Sequence, residues 1–257
     1  MKREISHELC NVIEEGAVCG VDGCSTTPTT ATAPKTADTA TRSVHDLTIV
    51  SDVICPWCFV AKKNLEKALE LAGTDFVVKI TWRPFELNPG MPKEGLNRRE
   101  YRSKKFGSWE KSQNLDAQVA SAGKLAGITF HHDLMERTPN TFNAHRLIWL
   151  AREEGVQDAV VEALFRAYFV DGRDVGATKV LAEIAKQAGL SDTVVAAFLE
   201  GTAGTDEVLL EAETARMGGI SGVPTFILDG EELFSGAMQP EHMAARLREA
   251  ATARAKG

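Results

Sequence analysis

The sequence predicts a two-layer α/β domain whose halves are separated in the chain by a long all-helical insertion. Three observations predict it. Segments rich in β-branched residues occur near residues 50 and 80 and then not again until residue 225. Between them, apolar residues recur at three- and four-residue intervals, the period of a helix buried along one face. A Cys-x-x-Cys pair, Cys55 and Cys58, falls where the first strand gives way to the first helix.

The elements follow in order. Residues 1–24 carry Cys10, Cys19 and Cys24, three of the five cysteines. Residues 25–44 read as a linker. Up to Ser43 they hold no aromatic residue, Leu, Ile or Val, so they cannot build a core and are expected to be disordered. Leu47 to Val53 reads as a strand. A helix is expected from Pro56 to about Ala72, since proline suits a first turn, where its missing N–H would have had no helical partner. Cys58, Ala61, Leu65, Ala68 and Ala72 make its apolar stripe, which places Cys58 on the buried face, while Cys55 precedes the helix and is expected to face outward. Val77 to Trp82 is a second strand, and Asn88-Pro89-Gly90 breaks the chain.

Residues 92–217 read as helical throughout, with stripes such as Ala144-Leu147-Ile148-Ala151 and Val161-Leu164-Phe165-Tyr168. Phe106, Trp109, Phe142, Trp149 and Phe169 are expected in the core of this insertion, some of them lining a groove. Thr225 to Leu228 returns to strand, Asp229-Gly230 turns, and Leu233-Phe234 completes a hairpin before a last helix from Pro240. The body thus divides into an α/β domain, residues 45–91 and 218–254, and a helical insertion, residues 92–217. Without the insertion, the order is that of the thioredoxin fold.

Composition narrows the function. The 257 residues are 44% hydrophobic and 25% charged, an ordinary globular balance. A net charge of -7 opposes sequence-independent nucleic-acid binding, which needs clustered Lys and Arg. No stretch approaches the roughly 20 apolar residues that span a bilayer. The start, Met1-Lys2-Arg3, is basic but no apolar run follows, so no secretory signal is read and a cytoplasmic location is expected. Five cysteines are too few for a disulfide scaffold and point to catalysis, metal binding or burial.

The chemistry sits in Cys55-Pro56-Trp57-Cys58. Two intervening residues at a helix start bring two sulfurs within disulfide reach. The helix N-terminus favours a thiolate through its partial positive charge and free N–H groups. Cys55 is therefore the expected nucleophile and Cys58 the resolving partner. A zinc site is the weaker reading, because zinc takes four ligands and the folded body holds no other cysteine. No cofactor is expected. Val223-Pro224, just before the third strand, is expected to be cis and to lie against the pair, leaving the Val223 backbone free to meet an extended substrate. Pro56, Trp57, Val223 and Pro224 are thus the expected substrate-binding residues.

These features combine with Ser51-Asp52-Val53-Ile54 before the pair, Asn140-Thr141 with Ala144-His145-Arg146, Ala167-Tyr168-Phe169, and Gly219-Ile220-Ser221-Gly222 before Val223-Pro224-Thr225-Phe226. Together, from about Leu47 to the last helix, they resemble the FrnE branch of the DsbA family. The resemblance implies a thioredoxin fold with an inserted helical domain and disulfide exchange on protein or small thiol substrates. Met238 departs from it, since the family pattern has glutamine at that place.

Other residues have plainer readings beside the functional ones. Asp52 could relay protons to Cys58, but an Asp at a strand end is more often solvated. His145 beside an apolar stripe reads as structural more readily than catalytic. His131-His132-Asp133 reads as an exposed connector more readily than as metal ligands. The rival functions are a glutathione-dependent isomerase or transferase, similar to 2-hydroxychromene-2-carboxylate isomerases and kappa-class glutathione transferases, and a pure binding or chaperone module. The former carry serine where Cys55 stands. In the tail, Cys19 and Cys24 form a Cys-x4-Cys pair. A linker spanning roughly 24 Å as a flexible coil could let them exchange with Cys55 and Cys58. A metal site of His7, Cys10, Cys19 and Cys24 and a tail with no redox role remain open beside it.

Overall fold

The computed structural model describes residues 44–73 and 76–254. The readings for His7, Cys10, Cys19 and Cys24 and for the linker through Ser43 lie outside the described residues. In chain order the elements are β1 (Val44–Ser51), α1 (Pro56–Ala72), β2 (Val77–Pro84), β3 (Leu96–Asn97), α2 (Arg98–Phe106), α3 (Trp109–Ala126), β4 (Arg137–Thr138), α4 (Phe142–Glu153), α5 (Gln157–Phe169), α6 (Thr178–Gln187), α7 (Asp192–Glu200), α8 (Thr205–Met217), β5 (Thr225–Leu228), β6 (Glu231–Ser235) and α9 (Pro240–Arg254).

Four strands form one sheet in the order β2-β1-β5-β6. β1 and β2 are parallel in full register from Val44 opposite Val77 to Ser51 opposite Pro84, which carries β2 past the expected Trp82. β5 is antiparallel to β1, and β6 to β5. Alternation along β1 buries Leu47 and Ile49 on one face, opposite Leu228 and Phe226 of β5. These four join Leu65 of α1 and Met243 and Leu247 of α9 in the core. Each such side chain, fully removed from water, contributes about 1.5–3 kcal/mol. α1 and α9 pack on each other, and the Asn64 amide on α1 donates to the Met238 carbonyl at 2.8 Å. Met238 is thus held through its backbone, and its half-buried side chain packs against the core.

Two features join the insertion to the sheet. Phe59 of α1 stacks on Phe165 of α5, with ring centroids 5.2 Å apart. The Gln157 side chain acts as a short strand substitute along the edge strand β2. It accepts from the Trp82 amide at 2.9 Å and donates to the Trp82 carbonyl at 3.0 Å. Exposed strand edges invite pairing with other chains, and this contact covers one.

Two expectations need correction. The insertion is not helical throughout, because β3 and β4 pair as a two-residue antiparallel ladder. β1 ends at Ser51 rather than Val53, because Asp52 opens a turn in which its carbonyl accepts the Cys55 amide at 2.9 Å.

Candidate active site at the head of the first helix

The parallel strands β1 and β2 end at the same edge of the sheet, where connecting loops gather and ligands are commonly bound. Cys55 stands there as the N-cap of α1, with extended backbone (φ -86, ψ 109), and Pro56 takes the first helical position. The Cys55 carbonyl accepts the Cys58 amide at 3.0 Å, so the second cysteine sits in the first turn. Both cysteines are free. Cys58 is fully buried, as the helical stripe implies.

Cys55 is also buried, at 4% exposure, which corrects its expected outward position. The cover comes from the loop before β5. The Val223–Pro224 peptide is cis, and the Cys55 thiol donates to the Val223 carbonyl at 3.5 Å. That loop is pinned to the hairpin behind it. The Thr225 hydroxyl donates to the Gly222 carbonyl at 2.9 Å, and the Gly236 amide donates to the Pro224 carbonyl at 2.8 Å. Within the motif, Trp57 is the exposed side chain.

Burial pushes the Cys58 thiol well above its ordinary pKa, and the neighbouring Cys55 sulfur raises it further through a hydrogen bond and charge. The Asp52 backbone and the Ser51 hydroxyl pull it down by smaller amounts. Ser51 was not singled out from the sequence for this contact.

The Asp52 carboxylate is fully buried, against the expectation of a solvated side chain. It accepts the Leu87 amide at 2.7 Å and the Ile54 amide at 3.3 Å, so it stitches the loop after β2 to the turn before α1. His145 of α4 places Nε2 3.5 Å from Asp52 Oδ1, and that nitrogen has no hydrogen-bond partner among the described residues. His145 is therefore not the satisfied structural histidine the sequence suggested. Glu86 completes the group at 7% exposure. Burial pushes its carboxyl up, His145 and Arg216 pull it down, and Asp52 adds to the rise. Sequence reasoning missed Glu86, whose one signal is a charge between the apolar Phe85 and Leu87.

A family model for the DSBA-like thioredoxin domain matches residues 46–248. The chain belongs to that family. It is 28% identical over 197 residues to the uncharacterized protein YwbO of Bacillus subtilis (strain 168), covering 76% of this chain and 91% of YwbO. It is 33% identical to the crystal structure of SCO1869 from Streptomyces coelicolor, described as a probable DsbA oxidoreductase. That match has a TM-score of 0.75 and covers 81% of this chain and 90% of the other. A 2-hydroxychromene-2-carboxylate isomerase shares the fold at 19% identity and TM-score 0.59, covering 82% of this chain and 95% of the isomerase.

The remaining candidates lie on the insertion of this DSBA-like domain. His132 stacks on Phe130 at 5.2 Å and lies 3.9 Å from Asp116, and no cluster of potential metal ligands occurs among the described residues. Of the five aromatic residues assigned to the insertion core, Phe169 is fully packed, while Phe106, Trp109, Phe142 and Trp149 are half-buried. Arg102 lies 4.9 Å over the Phe106 ring on the same helix, and Arg98 and Arg99 of α2 lie 5.7 Å from the ring of Trp109 at the start of α3, so both rings meet cations of α2. No described helix is long and apolar enough to cross a membrane.

Proposed function

We propose that this DSBA-like protein exchanges disulfides with protein or small thiol substrates in the cytoplasm, through Cys55 and Cys58. The observation that carries the reading is the arrangement of two free cysteines, one at the extended N-cap of α1 and one in its first turn, with the Val223 carbonyl 3.5 Å from the Cys55 sulfur. The Cys55 thiolate attacks a substrate disulfide, forms a mixed disulfide and expels one substrate thiolate. Cys58, as thiolate, then attacks the Cys55 sulfur and expels the second, leaving a Cys55–Cys58 disulfide. Two electrons pass from the enzyme dithiol to the substrate, and the reverse sequence oxidises a substrate dithiol. Pro56 and Trp57 border the approach, and the Val223-Pro224 backbone receives the extended substrate beside Cys55. The combined motifs support the FrnE-like branch.

The fold shared with an isomerase supports a glutathione-dependent reading only at the level of architecture. The cysteine at position 55, where that class carries serine, favours redox exchange. The test is substitution of each cysteine. Cys55→Ser should abolish turnover, and Cys58→Ser should accumulate mixed disulfides that a reductant releases. Normal turnover by Cys55→Ser would overturn the mechanism.

A further inference from the structure

The segment after β2 and the helices of the insertion enclose a cavity of about 630 Å³, walled on its apolar side by Pro89, Phe142, Leu199 and Leu209. Its polar walls are unevenly satisfied. The Arg146 guanidinium, 4% exposed, spends its donors on the carbonyls of Phe198, Gly201 and Ala203 and on the Asn143 side chain. The Asn140 amide donates to the Met91 carbonyl at 2.7 Å and accepts the Phe142 amide at 2.9 Å. The Arg146 guanidinium and the Asn140 side chain are therefore consumed within the protein. The Glu86 carboxylate is not. It is nine-tenths buried, it lines the cavity, and it makes no hydrogen bond or ion pair with any described residue.

A largely buried carboxylate whose oxygens open only onto a cavity is poorly hydrated, and it becomes favourable when a charged donor is supplied there. The groups around it are His145 from α4, Asp52 from the end of β1 and Arg216 from α8. Glu200 and Lys93 are both exposed on the cavity wall, the first adding a negative charge and the second a positive one. The cavity is also tied to the chemistry. Leu87, next to Glu86, donates to the Asp52 side chain at 2.7 Å, and Cys55 donates to the Asp52 carbonyl at 2.9 Å. One residue thus anchors both the cavity wall and the redox turn.

We propose that this cavity seats the ammonium group of a low-molecular-weight thiol or disulfide substrate, with Glu86 as its acceptor. The proposal rests on the reading of Cys55 and Cys58 as the exchange centre and names the class of substrate that centre takes. The exchange itself is the two-step transfer written above, with the amine-bearing disulfide as the species reduced.

The test compares kcat/KM for the reduced protein with cystamine, the neutral 2-hydroxyethyl disulfide and the anionic 3,3′-dithiodipropionate. Cystamine should lead the neutral disulfide by about tenfold, which is about 1.4 kcal/mol. Glu86→Gln should collapse that ratio towards one, and Glu86→Asp, which keeps the charge, should retain part of it. Equal ratios in the wild-type protein, or a ratio unchanged by Glu86→Gln, overturn the proposal. If the wild-type protein exchanges with none of the three, the exchange reading itself fails. Titration of the Cys55→Ser/Cys58→Ser protein with cystamine then judges the cavity alone. Binding lost on adding Glu86→Gln supports it, and no binding overturns it.

Discussion

Two buried polar clusters in this protein are built differently. Between α2 and α3, Asp116 receives Arg98 on one oxygen and Arg102 on the other, each at 2.7 Å, and Arg102 also donates to the Ser112 hydroxyl at 2.6 Å. Every strong group there has its partner. Next to the Cys55–Cys58 turn, Asp52 is held by two backbone amides, but His145 Nε2 and the Glu86 carboxylate are left without hydrogen bonds among the described residues. Buried polar groups are normally satisfied, because an unpaired one loses its hydration without compensation. The paired cluster fixes how the insertion's helices meet. The incomplete one costs stability and lies against the cysteines, where unbalanced charge can act on chemistry.

The largest effect should come from breaking the paired cluster. Asp116→Ala leaves the Arg98 side chain, 3% exposed, without its counter-charge. The expected loss is about 3–5 kcal/mol in a denaturant titration. A loss below about 1 kcal/mol would remove the distinction between the clusters.

An intermediate effect concerns Cys58. Its folded pKa is raised above the ordinary 9.0, so the fold favours the neutral thiol. That contribution is fully present below pH 9 and is lost as pH rises through the raised folded value. The reduced protein should therefore lose stability above pH 9 by about 1.4 kcal/mol per pH unit from this group, a loss the Cys55–Cys58 disulfide form cannot show. Denaturation of both redox forms between pH 8 and 10 measures it, and parallel curves would contradict it.

The smallest effect on stability should come from the incomplete cluster. His145→Leu removes no hydrogen bond but takes the imidazole away from the buried Asp52 carboxylate 3.5 Å from it, so its cost should be about 1 kcal/mol, below that of Asp116→Ala. What should move instead is the pH profile of mixed-disulfide resolution by Cys58, followed by stopped flow. An unchanged profile would make His145 structural and leave Asp52 and Glu86 as the charges that matter.

What was legible in the sequence was local. The bounds of α1, Pro56–Ala72, follow from proline at the first position and a stripe of small and apolar residues. The same stripe buries Cys58, and the strand before it sets the Cys-x-x-Cys at a helix head. The β5–β6 hairpin was equally readable from Asp229-Gly230 between apolar runs. These signals act over a few residues, so one stretch of sequence contains the whole argument. The tertiary structure decided the rest. Cys55 is buried by Val223, 168 residues further along the chain, and no local pattern reports that cover. Asp52 is drawn inside by the amide of Leu87, on a strand connection 35 residues away, and His145 arrives from the insertion. Glu86 becomes a cavity wall only because α4, α7 and α8 close around it. Periodicity states which face of an element is buried, but the partner on that face, and hence the charge and hydrogen bonding a side chain meets, depends on contacts that only the folded chain makes.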